Sequence, residues 1–308
     1  MPAHDGWDPR RLPEQSGKVF LVTGGSRGIG YFAAEQLAGA GARVVIAARD
    51  AQRARRAVDA ITHRIDGAEV EVLELDLASL SSVRAAGERI AEWPRLDGVA
   101  ANGAVTWGPA SRATTVDGFE VTFGTNHLGH FALAATAWPA LARTSGSRWA
   151  AVTSSATTLV PASTDDLNSE RRYARFRAYA LSKHAVQAFA WELDRRLHAA
   201  GSSSIALAAH PGYAADGLTA ARAGVTPPHP PTYERLLAGV AQGKNHGAMP
   251  LVRALTDPAA SGSELFGPEH GMRGPAVLKR PRGVSASPAF GQELWQLSET
   301  WTGLTFEP

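Results

Sequence analysis

Tyr179 and Lys183 stand four residues apart in Tyr179-Ala-Leu-Ser-Lys183, inside a long helical pattern. Residues at that spacing share one helix face. A phenol ionises near pH ~10, so a neighbouring ammonium that favours the phenolate brings the hydroxyl toward working pH as a proton donor or acceptor. The pair alone also describes a solvated helix face. Its meaning depends on what the rest of the chain brings to it.

Composition narrows the classes. The chain has 308 residues, 44% hydrophobic and 19% charged, enough to bury a sizeable core, and reads as one large domain. Lys+Arg 31 against Asp+Glu 29 leaves net +2, too balanced for a nucleic-acid binder. The basic clusters Arg53/Arg55/Arg56 and Arg171/Arg172/Arg175/Arg177 read as solvated faces. With no cysteine there is no disulfide, thiolate metal site or cysteine nucleophile. The longest apolar run, 131–142, is too short to span a bilayer, and the N-terminus lacks a signal peptide's basic and apolar regions. These features give the expectation of a cytoplasmic protein without a membrane partner.

The elements that position the pair follow a βα rhythm. After a polar lead-in over 1–17, Val19-Phe-Leu-Val-Thr23 reads as a buried strand. Thr23-Gly-Gly-Ser-Arg-Gly-Ile-Gly30 then opens an Ala-rich helix to about Gly39. Strand, glycines and helix in that order make a phosphate-binding turn, because glycine lets backbone N–H groups approach a pyrophosphate at the helix N-terminus. A second strand at 43–47 ends in Ala47-Ala48-Arg49. An NAD site usually places a carboxylate there, whereas a 2′-phosphate wants arginine. No acid occurs before Asp50, and Arg27 is a second cation, so the cofactor expected is NADP(H).

The alternation continues with helix 52–65, strand 69–75 ending at Asp76, and helix 79–93. A strand around 98–101 ends at Asn102-Gly103, and a long helix carries Asn126. Strand 148–153 ends at Ser154-Ser155, helix 173–200 carries the Tyr–Lys pair, and strand 204–209 ends at His210-Pro-Gly212. Ligands of open parallel sheets bind beyond the carboxyl ends of the strands, which is where all of these polar and Gly/Pro elements fall.

With these motifs in place, the chain resembles the short-chain dehydrogenase/reductases over about residues 18–215. Thr125-Asn-His-Leu-Gly-His-Phe131, Asp165-Asp-Leu-Asn168 and His210-Pro-Gly-Tyr-Ala-Ala215 are most similar to the retinol dehydrogenase and protochlorophyllide reductase branch. The resemblance implies an α/β fold, a single Rossmann domain over 18–308 with a doubly wound parallel sheet of about seven strands, the last near 275–279. It implies a segment at 213–250 that covers the substrate, and a homodimer or homotetramer.

It also implies a catalytic tetrad of Asn126, Ser155, Tyr179 and Lys183. Tyr179 would pass the proton and Ser155 hydrogen-bond the substrate oxygen. Lys183 would hold the nicotinamide ribose and stabilise the phenolate, and Asn126 would link the relay through backbone and water. Of the two adjacent serines, the strand-end alignment favours Ser155 and leaves Ser154 a packing role. Cofactor contacts fall on Gly24, Ser26, Arg27, Gly28, Ile29, Gly30, Arg49, Asp76, Leu77, Asn102, Gly103, Tyr179, Lys183, Pro211 and Gly212.

Two positions depart from the family pattern. Ala101 stands where an asparagine braces the sheet, and Asp216 where a threonine meets the nicotinamide carboxamide. Tyr173, with Arg177 four residues on, reads as structural or as a substrate wall. His127 and His130 read as packing or capping residues and His210 as structural, with no metal expected. The resulting expectation is an NADP(H)-dependent oxidoreductase acting on the carbonyl or alcohol of a small to medium apolar molecule. A protochlorophyllide-type reductase is disfavoured by the lack of cysteine. A catalytically silent NADP-binding regulator or scaffold would have no need of Ser155 together with Tyr179.

Overall fold

Short apolar strands alternate with helices, and the strands feed both faces of one sheet. The computed structural model of the protein describes residues 7–281 and 283–308; within the lead-in, residues 1–6 lie outside them. The strands are β1 (Val19–Thr23), β2 (Arg43–Ala48), β3 (Val70–Glu74), β4 (Gly98–Ala101), β5 (Arg148–Val152), β6 (Ile205–Ala209), β7 (Ala214–Ala215), β8 (Gln242–Gly243), β9 (Leu265–Pro268) and β10 (Ala276–Lys279). The α-helices are α1 (Gly28–Gly39), α2 (Ala51–Thr62), α3 (Leu80–Ala91), α4 (Val121–Phe123), α5 (Gly129–Ala142), α6 (Arg175–Ala199), α7 (Lys244–Gly247), α8 (Met249–Thr256) and α9 (Pro288–Thr302).

Eight strands form one sheet in the order β10-β9-β6-β5-β4-β1-β2-β3, and β7 and β8 pair separately. All neighbours in the large sheet run parallel except β9 and β10. The order reverses between β1 and β4, the switch point at which doubly wound sheets bind ligands. The sheet has one strand more than expected. The addition is β9, whose sequence Leu-Phe-Gly-Pro resembles a turn, yet it hydrogen-bonds β6 on one side and β10 on the other.

Side-chain alternation divides the core. Phe20 and Val22 of β1 join Val44 and Ile46 of β2 against α1, α2 and α8. Leu21, Val45 and Ala47 point to the opposite face, against α3, α5, α6 and α9. On that second face Phe131, Phe189, Trp295 and Phe306 form an aromatic cluster, with Trp295 stacked on Phe306 at 5.0 Å. The C-terminal residues are thereby held against α6. α3 and α5 approach closely because Gly87 has no side chain: a Cβ there would lie 1.9 Å from Thr136 Oγ1.

The expected long helix around Asn126 is interrupted. Between α4 and α5, residues Gly124–Leu128 form a π-helical turn centred on Asn126. Such turns displace the regular i→i−4 bonding and re-aim the groups they carry.

Candidate active site

The glycine turn is built by close approach. Gly24 is left-handed at φ +65, and a Cβ on it would lie 2.8 Å from Gly103 Cα. A Cβ on Gly30 would lie 2.4 Å from Asn102 Nδ2 and 2.6 Å from Gly24 O. Gly28, at φ +62, is less crowded: a Cβ there would meet the stem of Lys244 at an ordinary 3.8 Å. The turn therefore packs tightly on the protein side and leaves a cradle in front of the α1 N-terminus, where Arg27 gives no side-chain cap. Free N–H groups and the positive end of the helix dipole fit a phosphate ester there. Ser26 is buried in the turn. Leu77, following Asp76, packs over Gly103, and Asp76 itself is held locally by accepting from the Ala78 N–H.

Ala101 leaves the sheet braced, because the neighbouring asparagine does the bonding. Asn102 Nδ2 donates to Thr23 O at 2.9 Å, and the N–H groups of Asn102 and Gly103 both donate to Thr23 Oγ1 at 2.9 Å. Thr23 also lies 2.9 Å from His130 Nε2, and His130 Nδ1 lies 2.8 Å from the Asn126 carbonyl. A carbonyl only accepts, so Nδ1 carries the proton, and Nε2 of a neutral ring accepts from the Thr23 hydroxyl, whose one proton the Ala100 carbonyl at 3.1 Å also faces. That assignment needs a neutral ring. Burial agrees, pushing His130 down to about 4. His130 thus joins the cofactor turn to the π-helical turn, a connection that spacing could not reveal across 107 residues.

Three of the four expected tetrad residues, Asn126, Tyr179 and Lys183, lie on or against α6. The Asn126 side chain is fixed by three bonds: Oδ1 accepts from Val105 N at 2.7 Å, and Nδ2 donates to Val105 O at 3.0 Å and Ser182 Oγ at 2.9 Å. Ser182 in turn donates to the Tyr179 carbonyl at 2.8 Å. Lys183 is buried, donates to Val152 O at 2.7 Å and lies 5.9 Å from the centre of the Tyr179 ring. Burial lowers Lys183 to about 8. The expected cation effect on the phenol does not dominate: burial raises Tyr179, and the opposing influence is a hydrogen bond from Ser154.

The side chain that lowers Tyr179 is that of Ser154, the residue before the expected Ser155. Ser154 is the last extended residue after β5, at φ −151 and ψ 152. Ser155 already begins a 3-10 turn, and its carbonyl accepts from Thr158 Oγ1.

A family model described as short chain dehydrogenase matches residues 18–222. The chain belongs to the short-chain dehydrogenase family. It is 38% identical over 204 residues to retinol dehydrogenase 12 of Mus musculus, covering 66% of this chain and 63% of that protein. It is 40% identical over 183 residues to a Streptomyces sp. (strain C5) protein named as a daunorubicin C-13 ketoreductase, covering 58% and 61%. The chain thus spans less than two thirds of the length of these relatives. Among solved structures, an uncharacterized protein from Mycobacterium paratuberculosis superposes with a TM-score of 0.79 at 34% identity, over 98% of this chain and 99% of that one. A Burkholderia cenocepacia short chain dehydrogenase in complex with NADP shares the fold, with a TM-score of 0.64 at 23% identity over 85% and 98%.

Around this short-chain dehydrogenase core, the remaining expected residues sit at strand ends. Gly212 is left-handed at φ +67, and a Cβ there would lie 2.2 Å from Met272 O. Pro211 O accepts from Gln242 Nε2 at 2.8 Å, and Ile29 and Pro211 line one small cleft with Val152. Arg27 and Arg49 are exposed at the ends of adjacent strands and have no ion pair among the described residues. Asp50 is engaged elsewhere: its carboxylate caps α2 by accepting from Arg53 N at 2.9 Å.

Tyr173 donates to Pro109 O at 2.7 Å, and Arg175 covers the exposed Trp107 ring at 5.0 Å. His127 is buried among Phe123, Phe131 and Phe189, bonded to Ser298, and His210 packs against Gly267; both are structural. Among the described residues no cluster of three metal-ligating side chains occurs, and no helix is long and apolar enough to cross a membrane.

The segment over 213–250 is strapped to the core. Arg222 makes a bidentate pair with Glu35 of α1, its Nη2 at 2.6 Å, and Tyr31 donates to the same carboxylate. Asp216, which stands where the family pattern has a threonine, is paired with Lys244 at 2.6 Å. Sequence reasoning missed Lys244, which stands 28 residues from its partner.

Proposed function

We propose that this short-chain dehydrogenase is an NADP(H)-dependent oxidoreductase that interconverts a carbonyl and an alcohol on a small to medium, mostly apolar molecule. The observation that carries the reading is the Tyr179 ring 5.9 Å from the buried Lys183 ammonium on one helix, beside a glycine cradle suited to a dinucleotide diphosphate. When bound, the nicotinamide supplies or accepts the hydride.

The chain's own residues manage the proton. Tyr179 Oη gives its proton to the carbonyl oxygen in reduction, and takes it from the alcohol in oxidation. Ser154 hydrogen-bonds that oxygen and favours the phenolate. Lys183 adds an ammonium beside the ring and ribose-binding donors. Its value of about 8 keeps it charged at neutral pH. Asn126, immobilised by Val105 and Ser182, holds the π-helical turn whose carbonyl is fixed by His130.

The preference for the 2′-phosphate rests on Arg27 and Arg49 together with the engagement of Asp50 in capping α2. An apolar substrate is supported by the exposed Leu159, Tyr213, Tyr233 and Leu236 in the segments that follow β5 and β6. The test is oxidation of NADPH and of NADH across a panel of aldehydes and ketones. Turnover of an apolar carbonyl with NADPH preferred supports the reading. Cofactor binding without turnover on any substrate would favour a silent regulator.

A further inference from the structure

Lys244 belongs to the covering segment, but its stem lies over the glycine turn. Its Cδ would lie 3.8 Å from a Cβ built on Gly28. Gly28 opens α1, whose first-turn N–H groups lack a side-chain cap. The lysine is fixed there by its own helix: Lys244 N donates to Thr219 Oγ1 at 2.9 Å, and Gln36 of α1 donates to Asn245 O at 3.0 Å. Its ammonium pairs with Asp216 at 2.6 Å, and both side chains stay partly open to solvent, at 25% and 31% exposure.

This geometry puts a carboxylate and an ammonium together above a cradle suited to two phosphates. A bare carboxylate there would repel the diphosphate, and the lysine reverses that sign. We propose that Lys244, whose stem lies over Gly28, is a diphosphate clamp whose ammonium pairs with the cofactor's diphosphate, and that Asp216 positions Lys244 rather than contacting the nicotinamide. The inference rests on the dinucleotide reading above.

A purely structural pair predicts something different. If Asp216 and Lys244 only fastened the covering segment, removing either partner would break the same bond and shift affinity in the same direction. A clamp makes the two removals diverge. Lys244→Gln deletes the cation and leaves Asp216 unpaired beside the phosphates, whereas Asp216→Asn leaves the cation and frees it for them.

The experiment is titration calorimetry of the full chain and both variants with NADPH, NADH and adenosine 2′-monophosphate, which lacks the diphosphate. Lys244→Gln is expected to weaken dinucleotide binding about tenfold or more, in a salt-dependent way, and to leave adenosine 2′-monophosphate within about twofold. Asp216→Asn is expected to leave dinucleotide binding unchanged or tighter. Equal weakening by both variants, an unchanged dinucleotide Kd in Lys244→Gln, or equal loss of all ligands would overturn the clamp while leaving the dinucleotide reading intact. Failure of the wild-type chain to bind either dinucleotide would overturn that reading and the clamp with it.

Discussion

Replacing Ser154 by alanine should separate this account from its nearest rival, in which Ser155 is the working hydroxyl. Ser154 has two roles to lose. Its Oγ accepts from Ala156 N at 3.2 Å as the cap of the short turn after β5, and its hydroxyl is the group that favours ionisation of Tyr179 against burial. Loss of the cap costs about 1 kcal/mol, a shift of a few degrees in Tm. Loss of a donor aimed at the reacting oxygen costs about 3 to 4 kcal/mol, on the order of 10²-fold to 10³-fold in kcat/KM. Burial then acts on Tyr179 unopposed, so the alkaline limb of the pH–rate profile should move up. Steady-state kinetics against pH, with thermal unfolding on the same samples, read both effects. Ser155→Ala should stay within about threefold of wild type. A larger loss in Ser155→Ala than in Ser154→Ala would refute the reasoning.

Acid should destabilise the fold through its neutral histidines. Burial lowers His130 from 6.5 to about 4, so below pH 6.5 the unfolded chain binds a proton that the native chain refuses. The stability present above pH 6.5 is therefore lost as pH falls toward 4, by about 2 kcal/mol at pH 5 for this one group. His127 and His210, lowered to about 3 and about 4 by burial, act with the same sign. Urea midpoints at pH 7.5 and pH 5 check it, and an unchanged midpoint would contradict the assignment. Gly30→Ala should abolish dinucleotide binding in calorimetry, because its Cβ would lie 2.6 Å from Gly24 O with backbone on that side unable to yield. Arg49→Ala should raise the Kd for NADPH about tenfold and leave NADH within twofold, whereas equal effects on both would remove the arginine from the 2′-phosphate site.

Much of the frame could be read from residue order. Val19–Thr23 is bounded identically in sequence and structure, and α6 and β10 fall within two residues of expectation, because apolar runs, glycines and helical periodicity are local signals. The glycine turn, Tyr179 and Lys183 followed from the same signals. What escaped depends on contacts distant in sequence or on phase. Two adjacent serines give no hint that the chain leaves its extended path between them, with Ser154 the last extended residue after β5 and Ser155 the first of the 3-10 turn. The π-helical turn at Gly124–Leu128 leaves no mark on the apolar pattern, since every residue in it is buried. Thr23, His130 and Asn126 meet only once β1 and α5 are packed, and Lys244 reaches Gly28 only through the fold of the covering segment. β9 was hidden by its Gly-Pro ending, which reads as a turn.

The central claim is that the Tyr179 hydroxyl moves the proton while the rest of the site holds cofactor and substrate. Tyr179→Phe removes one oxygen and leaves the ring, Lys183 and the cradle in place. NADPH oxidation should be followed with an apolar ketone that the wild type reduces, alongside NADPH binding by calorimetry. The account predicts a loss on the order of 10²-fold to 10⁴-fold in kcat with the NADPH Kd changed by less than about threefold. Undiminished turnover in Tyr179→Phe would contradict it.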